Sequence, residues 1–110
     1  MGLGQIKNFK KIENVKRKIN NKYLSFIEEN NLKTFYPQKK TRHIQWLNFV
    51  VLKKNIKKSI FLSAQKHKIN LNYFWTPMHF QPYLKNNLKE NLSNTQFIWK
   101  KILVLPSSLH

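Results

Sequence analysis

The 110-residue chain has no cysteine, no aspartate, a single alanine (Ala64) and only four acidic side chains against 21 Lys and Arg. Without cysteine there is no disulfide framework and no thiolate metal site, and the cytoplasm becomes the default compartment. The opening stretch MGLGQIKNFKK lacks the apolar centre of an export signal. No apolar run approaches the ~20 residues that a membrane span requires, so no membrane partner is expected. His43, His67, His79 and His110 are scattered without ligand spacing or a carboxylate cluster, which leaves no metal site.

What is present is the material of a folded domain. A hydrophobic share of 41% and an aromatic share of 14% are too high for a disordered tail and enough for one core. The net charge of +17 invites a nucleic-acid reading, because cations set against phosphates supply most non-specific affinity. Its make-up points elsewhere. Nineteen of the 21 basic residues are Lys, and only Arg17 and Arg42 carry the planar fork suited to phosphates and base edges. Excess Lys, Asn and Ile with no Asp is the usage an AT-rich genome imposes, and it reads as a solvated surface.

The first element is a long amphipathic helix over residues 5–29. Ile6, Phe9, Ile12, Val15, Ile19, Tyr23, Phe26 and Ile27 recur every three or four residues, with lysines mostly between them. Residues 31–45, with Pro37 at the centre, read as a linker, and residues 46–110 as an α+β core. Within that core WLNFVVL, residues 46–52, has the content of a buried strand. Asn55 is placed to cap a helix over residues 56–66 whose inward stripe is Ile56, Ile60 and Phe61 or Ala64. Residues 69–75 alternate Ile69, Leu71, Tyr73 and Trp75 against polar neighbours, the period of a half-buried strand. Residues 85–91 read as irregular. Ser93 and Gln96 have capping-box spacing before a short helix over 95–101, and ILVL, residues 102–105, is a strand halted by Pro106. The fold class is α+β, a short sheet packed with helices.

From the end of the alternating stretch toward the irregular residues 85–91 runs NYFWTPMHFQPY, residues 72–83. Pro77 and Pro82 exclude a long helix or a regular strand, and the aromatic rings are costly to leave in water. This loop is either a cover for the core or the wall of a binding site.

Three segments carry a family resemblance. GLGQIKNFKKIENVKRKINNKY resembles the segment of the DegT/DnrJ/StrS sugar aminotransferases that follows their large cofactor domain, with Gly2, Leu3, Gln5, Ile6, Arg17 and Tyr23 on the pattern. TPMHFQPYLK is similar to that family's proline, His, Gln-Pro, Tyr loop at Pro77, His79, Gln81, Pro82 and Tyr83. NLSNTQFIWKKILVLPSS is similar to the closing helix and Leu-Pro strand, and the FWT and Pro-Ser-Ser features resemble the legionaminic-acid-pathway branch.

The resemblance implies the small C-terminal domain of a fold-type I aminotransferase, with the large pyridoxal phosphate domain missing from this chain. It implies amino transfer from an amino acid such as glutamate to a nucleotide-linked 4-keto-6-deoxy sugar, in nonulosonic acid or cell-surface polysaccharide synthesis. The family partners would be that nucleotide sugar, the amino donor and a second copy in a homodimer. Pyridoxal phosphate is the implied cofactor, held mainly by the missing domain together with its Schiff-base lysine. No catalytic residue and no cofactor ligand is therefore expected in this chain, and alone it is expected to be inactive. Its lysines read as lying on wet helix faces or in polar loops, where an amine stays protonated.

His79 is the leading candidate for substrate binding, since an imidazole on this loop could bond a sugar hydroxyl or a phosphate. The competing reading is a loop histidine anchoring backbone carbonyls. Trp75 and Tyr83 are the candidates for stacking a sugar or base, against a core role that Trp75 fits well. Arg17 reads as a surface or interface residue. The alternative function is a small Lys-rich module for nucleic acid or another anionic surface, in which the loop stacks bases.

Overall fold

A computed structural model describes residues 2–41, 43, 46–54, 56–84, 86 and 90–108. Two helices, α1 (Gly2–Lys7) and α2 (Phe9–Glu29), precede strand β1 (Asn48–Val51) and helix α3 (Lys57–Lys66). Two 3-10 turns, Met78–Phe80 and Pro82–Leu84, lead to helix α4 (Ser93–Lys101) and strand β2 (Ile102–Leu105). The strands pair antiparallel, with Asn48 opposite Leu105 and Val51 opposite Ile102. Mixed helix with a two-stranded antiparallel sheet is an α+β arrangement.

The core lies where the C-terminal half of α2 crosses this pair. Ile27, Val50, Leu52 and Leu103 form its buried centre, and Tyr23, Leu32, Ile60, Phe61, Leu71 and Leu105 pack around it. Alternation along β1 turns Asn48 and Val50 inward, while β2 buries three consecutive residues because α4 feeds directly into it. Tyr23 fixes the seam from the helix side, donating its hydroxyl to the Pro106 carbonyl at 2.7 Å.

Burial pushes the Tyr23 phenol above its ordinary value of 10.0. A raised folded value means the stabilisation is complete below 10.0 and is lost as pH rises through the folded value. Tyr23→Phe should therefore cost about 1 kcal/mol at neutral pH, the worth of one hydrogen bond, and remove part of the alkaline unfolding. Urea melts of both proteins at neutral and strongly alkaline pH check this. An unchanged alkaline limb would show that Tyr23 is not the titrating group.

Several elements differ from the sequence expectations. The long first helix is interrupted at Asn8, whose amide side chain donates to the Gly4 carbonyl at 3.3 Å and competes with the backbone ladder. Its apolar stripe is buried only toward the C-terminal end, and Leu3, Ile6 and Phe9 are exposed. The linker is not wholly a connection: Lys33 bridges Val51, and Thr34 donates to the Phe49 carbonyl at 2.7 Å. The expected strand over 46–52 is shorter, and Trp46 lies outside it in solvent.

Asn55 lies outside the described residues, as do Arg42, Lys85 and His110. Ile56 is exposed at the start of α3, and the inward place beside it is taken by Lys57. The strand expected over 69–75 does not form, because that segment meets β2 only at Asn72, opposite Val104. The Ser93–Gln96 box is also absent: α4 begins at Ser93 itself, whose backbone N–H is satisfied by the Asn91 side-chain oxygen at 3.0 Å.

The radius of gyration is 16.7 Å, against about 13 Å for a compact domain of this length. Accessible surface is 9677 Å², roughly half as much again as the ~6,500 Å² of a compact monomer of this mass. Leu3, Ile6, Trp46, Tyr73, Trp75, Met78 and Tyr83 are among the exposed large apolar and aromatic side chains.

Candidate functional site

The loop over residues 72–83 leaves the edge of β2 and folds back as the two 3-10 turns. The Pro77 carbonyl accepts from Phe80 N–H at 2.9 Å, and the Gln81 carbonyl from Leu84 N–H at 3.0 Å, so each proline opens a turn. Trp99 of α4 holds the base of the loop, donating its indole N–H to the Phe74 carbonyl at 3.3 Å. Phe80 packs against the same Trp99 with ring centroids 5.4 Å apart. Proline and aromatic content here serves a loop folded onto α4.

His79 sits half-buried on the first turn, its ring 4.2 Å from that of Phe80. Its Nε2 is buried and has no hydrogen-bond partner among the described residues. That observation removes the carbonyl-anchor reading for this nitrogen, and native structures rarely leave such an atom unpaired. Trp75 is 60% exposed, which corrects the expectation that it belongs to the core. Its ring neighbours are Phe74 and Trp46, the latter at 5.6 Å and tilted by 45°. Tyr83, on the second turn, is 74% exposed. The loop thus carries all three candidates, with Trp75 before the turns and His79 and Tyr83 on one turn each.

The expectation that every lysine is wet is overturned at Lys57. This side chain is buried at the start of α3, under the rings of Tyr73 and Trp99 at 5.9 and 5.4 Å, and donates to the Trp99 carbonyl. Burial lowers its amine below the ordinary value of 10.5. The lowering means that the carbonyl, the rings and the C-terminal end of α4 do not fully offset the lost hydration. Lys57→Met should therefore raise stability by about 1 kcal/mol at neutral pH. A depressed folded value costs stability as pH falls through it, so the gap between the two proteins should close as pH approaches 10.5. A destabilised Met variant in thermal melts would mean the ammonium is a net stabiliser of α4.

Arg17 pairs with the buried Glu13 at 2.9 Å, a structural contact within α2. Among the described residues no cluster of His, Cys, Asp or Glu could hold a metal ion, and no helix is long and apolar enough to cross a membrane.

A family model for the DegT/DnrJ/EryC1/StrS aminotransferases matches residues 1–110. The chain belongs to this family. Comparison with curated proteins and with solved structures gives no match. The family is one of pyridoxal-phosphate-dependent sugar aminotransferases. That cofactor needs an amine to hold it, an acidic partner for its pyridinium nitrogen and donors for its phosphate. The chain has no aspartate, and the one lysine with a lowered amine among the described residues, Lys57, is enclosed by Tyr73 and Trp99. These residues do not fit a pyridoxal phosphate cradle. Two features escaped the sequence reading: Trp46 joins Trp75 only through the fold, and the burial of Lys57 is set by α4.

Proposed function

We propose that this aminotransferase-family chain is the small C-terminal domain of a fold-type I enzyme and forms the substrate-facing wall of its site. The cofactor belongs to a larger domain that packs over the exposed apolar surface. The reaction is amino transfer from glutamate to a nucleotide-linked 4-keto-6-deoxy sugar, in the branch serving legionaminic acid and related cell-surface sugars. His79 offers a hydrogen bond to a sugar hydroxyl or phosphate, and Trp75 and Tyr83 supply stacking surface. The working enzyme is a cytoplasmic homodimer, and the chain alone is inactive.

The observation that carries this reading is the family match along the whole of residues 1–110, with the His79 loop inside it. No observation favours the Lys-rich binding module. Mass spectrometry of the sugar product tests the substrate assignment, using the completed enzyme with glutamate and nucleotide-linked 4-keto-6-deoxy or 3-keto sugars. Amination of the 4-keto substrate is expected, and preference for the 3-keto isomer would sink the branch assignment.

A further inference from the structure

We infer that the recess between α2, residues 34–37 and β1 binds a small aromatic acid, with the ring inside and the carboxylate at the mouth. The recess has a volume of about 160 Å³, close to the ~150 Å³ of an engineered cavity that takes up benzene. One six-membered ring fits. Tyr23, Ile27, Phe35 and Phe49 supply the apolar walls, with the rings of Phe35 and Phe49 5.5 Å apart and tilted by 56°. No Lys, Arg, Asp or Glu is among the described residues that line it, and neither are Trp75, His79 and Tyr83. The site is therefore apart from the loop assigned to the sugar, and the inference does not depend on that assignment.

What separates this recess from an ordinary packing gap is Asn48. It lines the recess, is 3% exposed, and accepts from the Asn20 amide at 2.8 Å, yet its own Nδ2 has no hydrogen-bond partner among the described residues. The hydroxyls on the same walls are spent: Tyr23 donates to the Pro106 carbonyl and Thr34 to the Phe49 carbonyl. Native structures rarely leave a buried amide N–H unpaired, and an oxygen carried on the ring would satisfy it. A single water, at about 30 Å³, fills only a fraction of the space. Asn20, Leu24, Tyr36, Pro37 and His43 also line an adjoining groove of about 730 Å³, so the recess has a mouth. The groove adds Arg17 and Lys40 with no carboxylate among its described lining residues. Arg17 is already paired with Glu13, whereas Lys40 is in no described ion pair. A carboxylate on the far side of the ring from the oxygen would emerge beside these cations.

The probe is 4-hydroxybenzoate, titrated into the 110-residue chain at physiological salt and followed by residue-resolved NMR. Saturable binding is expected, with shifts at Leu24, Lys40, Asn48 and Phe49. Benzoate lacks the hydroxyl and phenol lacks the carboxylate, so each should bind about threefold to tenfold more weakly. Asn48→Leu keeps the volume but removes the donor, and it should lower the affinity for 4-hydroxybenzoate to that for benzoate. Leu24→Phe places a ring at the boundary of recess and groove, and it should abolish binding without lowering the melting temperature. That second variant keeps the test standing if Asn48→Leu unfolds. No saturable binding, benzoate or phenol binding as tightly as the probe, or full affinity in Leu24→Phe would overturn the inference. A footprint on Trp75, His79 and Tyr83 with Leu24 and Asn48 unmoved would also overturn it, while leaving the aminotransferase reading intact.

Discussion

Leu103→Ala is expected to cost about 3 kcal/mol and to leave much of the isolated chain unfolded near room temperature. Leu103 is 3% exposed and stands opposite Val50, at the point where α2 crosses the two strands. The core around it is thin: among the described residues Ile27, Val50, Leu52 and Leu103 form its buried centre, and none of the large side chains there is completely enclosed. Compact domains have about 5–15 kcal/mol in hand, and a chain that leaves so much surface open belongs at or below the low end of that range. Removing the central leucine loses both its transfer energy and the contacts of its neighbours. Urea denaturation followed by circular dichroism measures the effect, with Leu62→Ala on the exposed side of α3 as a control that should change stability by less than about 0.5 kcal/mol. A loss below about 1 kcal/mol for Leu103→Ala would mean that the α2–sheet seam is not what holds the chain together.

His79→Ala, placed in the completed enzyme, is expected to lower kcat/KM for the nucleotide sugar by about tenfold to a hundredfold. The imidazole is held on a 3-10 turn between Pro77 and Phe80, and its buried Nε2 has no partner among the described residues. A substrate oxygen would give it that partner, so deletion should remove a bond made to the sugar or its phosphate. Gln at the same position keeps a side chain able to donate or accept and should recover part of the loss. Melting temperature should hardly change, because the imidazole supports little of the core. Unaltered kinetics with a lowered melting temperature would make His79 a structural residue of the loop.

Sequence patterning located the elements whose environment is uniform. β2 occupies residues 102–105 as expected, since an unbroken apolar run ending at Pro106 admits little else. α2 follows from its three-to-four spacing, although the burial of its stripe does not: Ile6 and Phe9 repeat the same pattern and remain exposed. Alternation over 69–75 failed as a strand signal because Phe74, on the nominally polar face, is half-buried while Tyr73 and Trp75 face solvent. Tyr73 stacks flat on Phe61 at 4.1 Å instead, a tertiary contact that no local period encodes. Lys57 was unreadable for the same reason, as its burial depends on Trp99.

The site was legible to a different degree. His79, Trp75 and Tyr83 stand on one short stretch whose prolines and rings mark it from sequence alone. Asn20 and Asn48 lie far apart in the chain and bond to one another only after α2 has docked on β1. Asparagine spread over the sequence hides such a pairing, because its abundance marks no one of them.

The most direct measurement is amino-sugar formation from a nucleotide-linked 4-keto-6-deoxy sugar and glutamate, with pyridoxal phosphate present, by this chain alone and together with the cofactor domain of a family member. The account predicts no turnover by the chain alone and turnover when the two are combined. Amination by the chain alone, or none in the combined sample once the two are shown to associate, would contradict it.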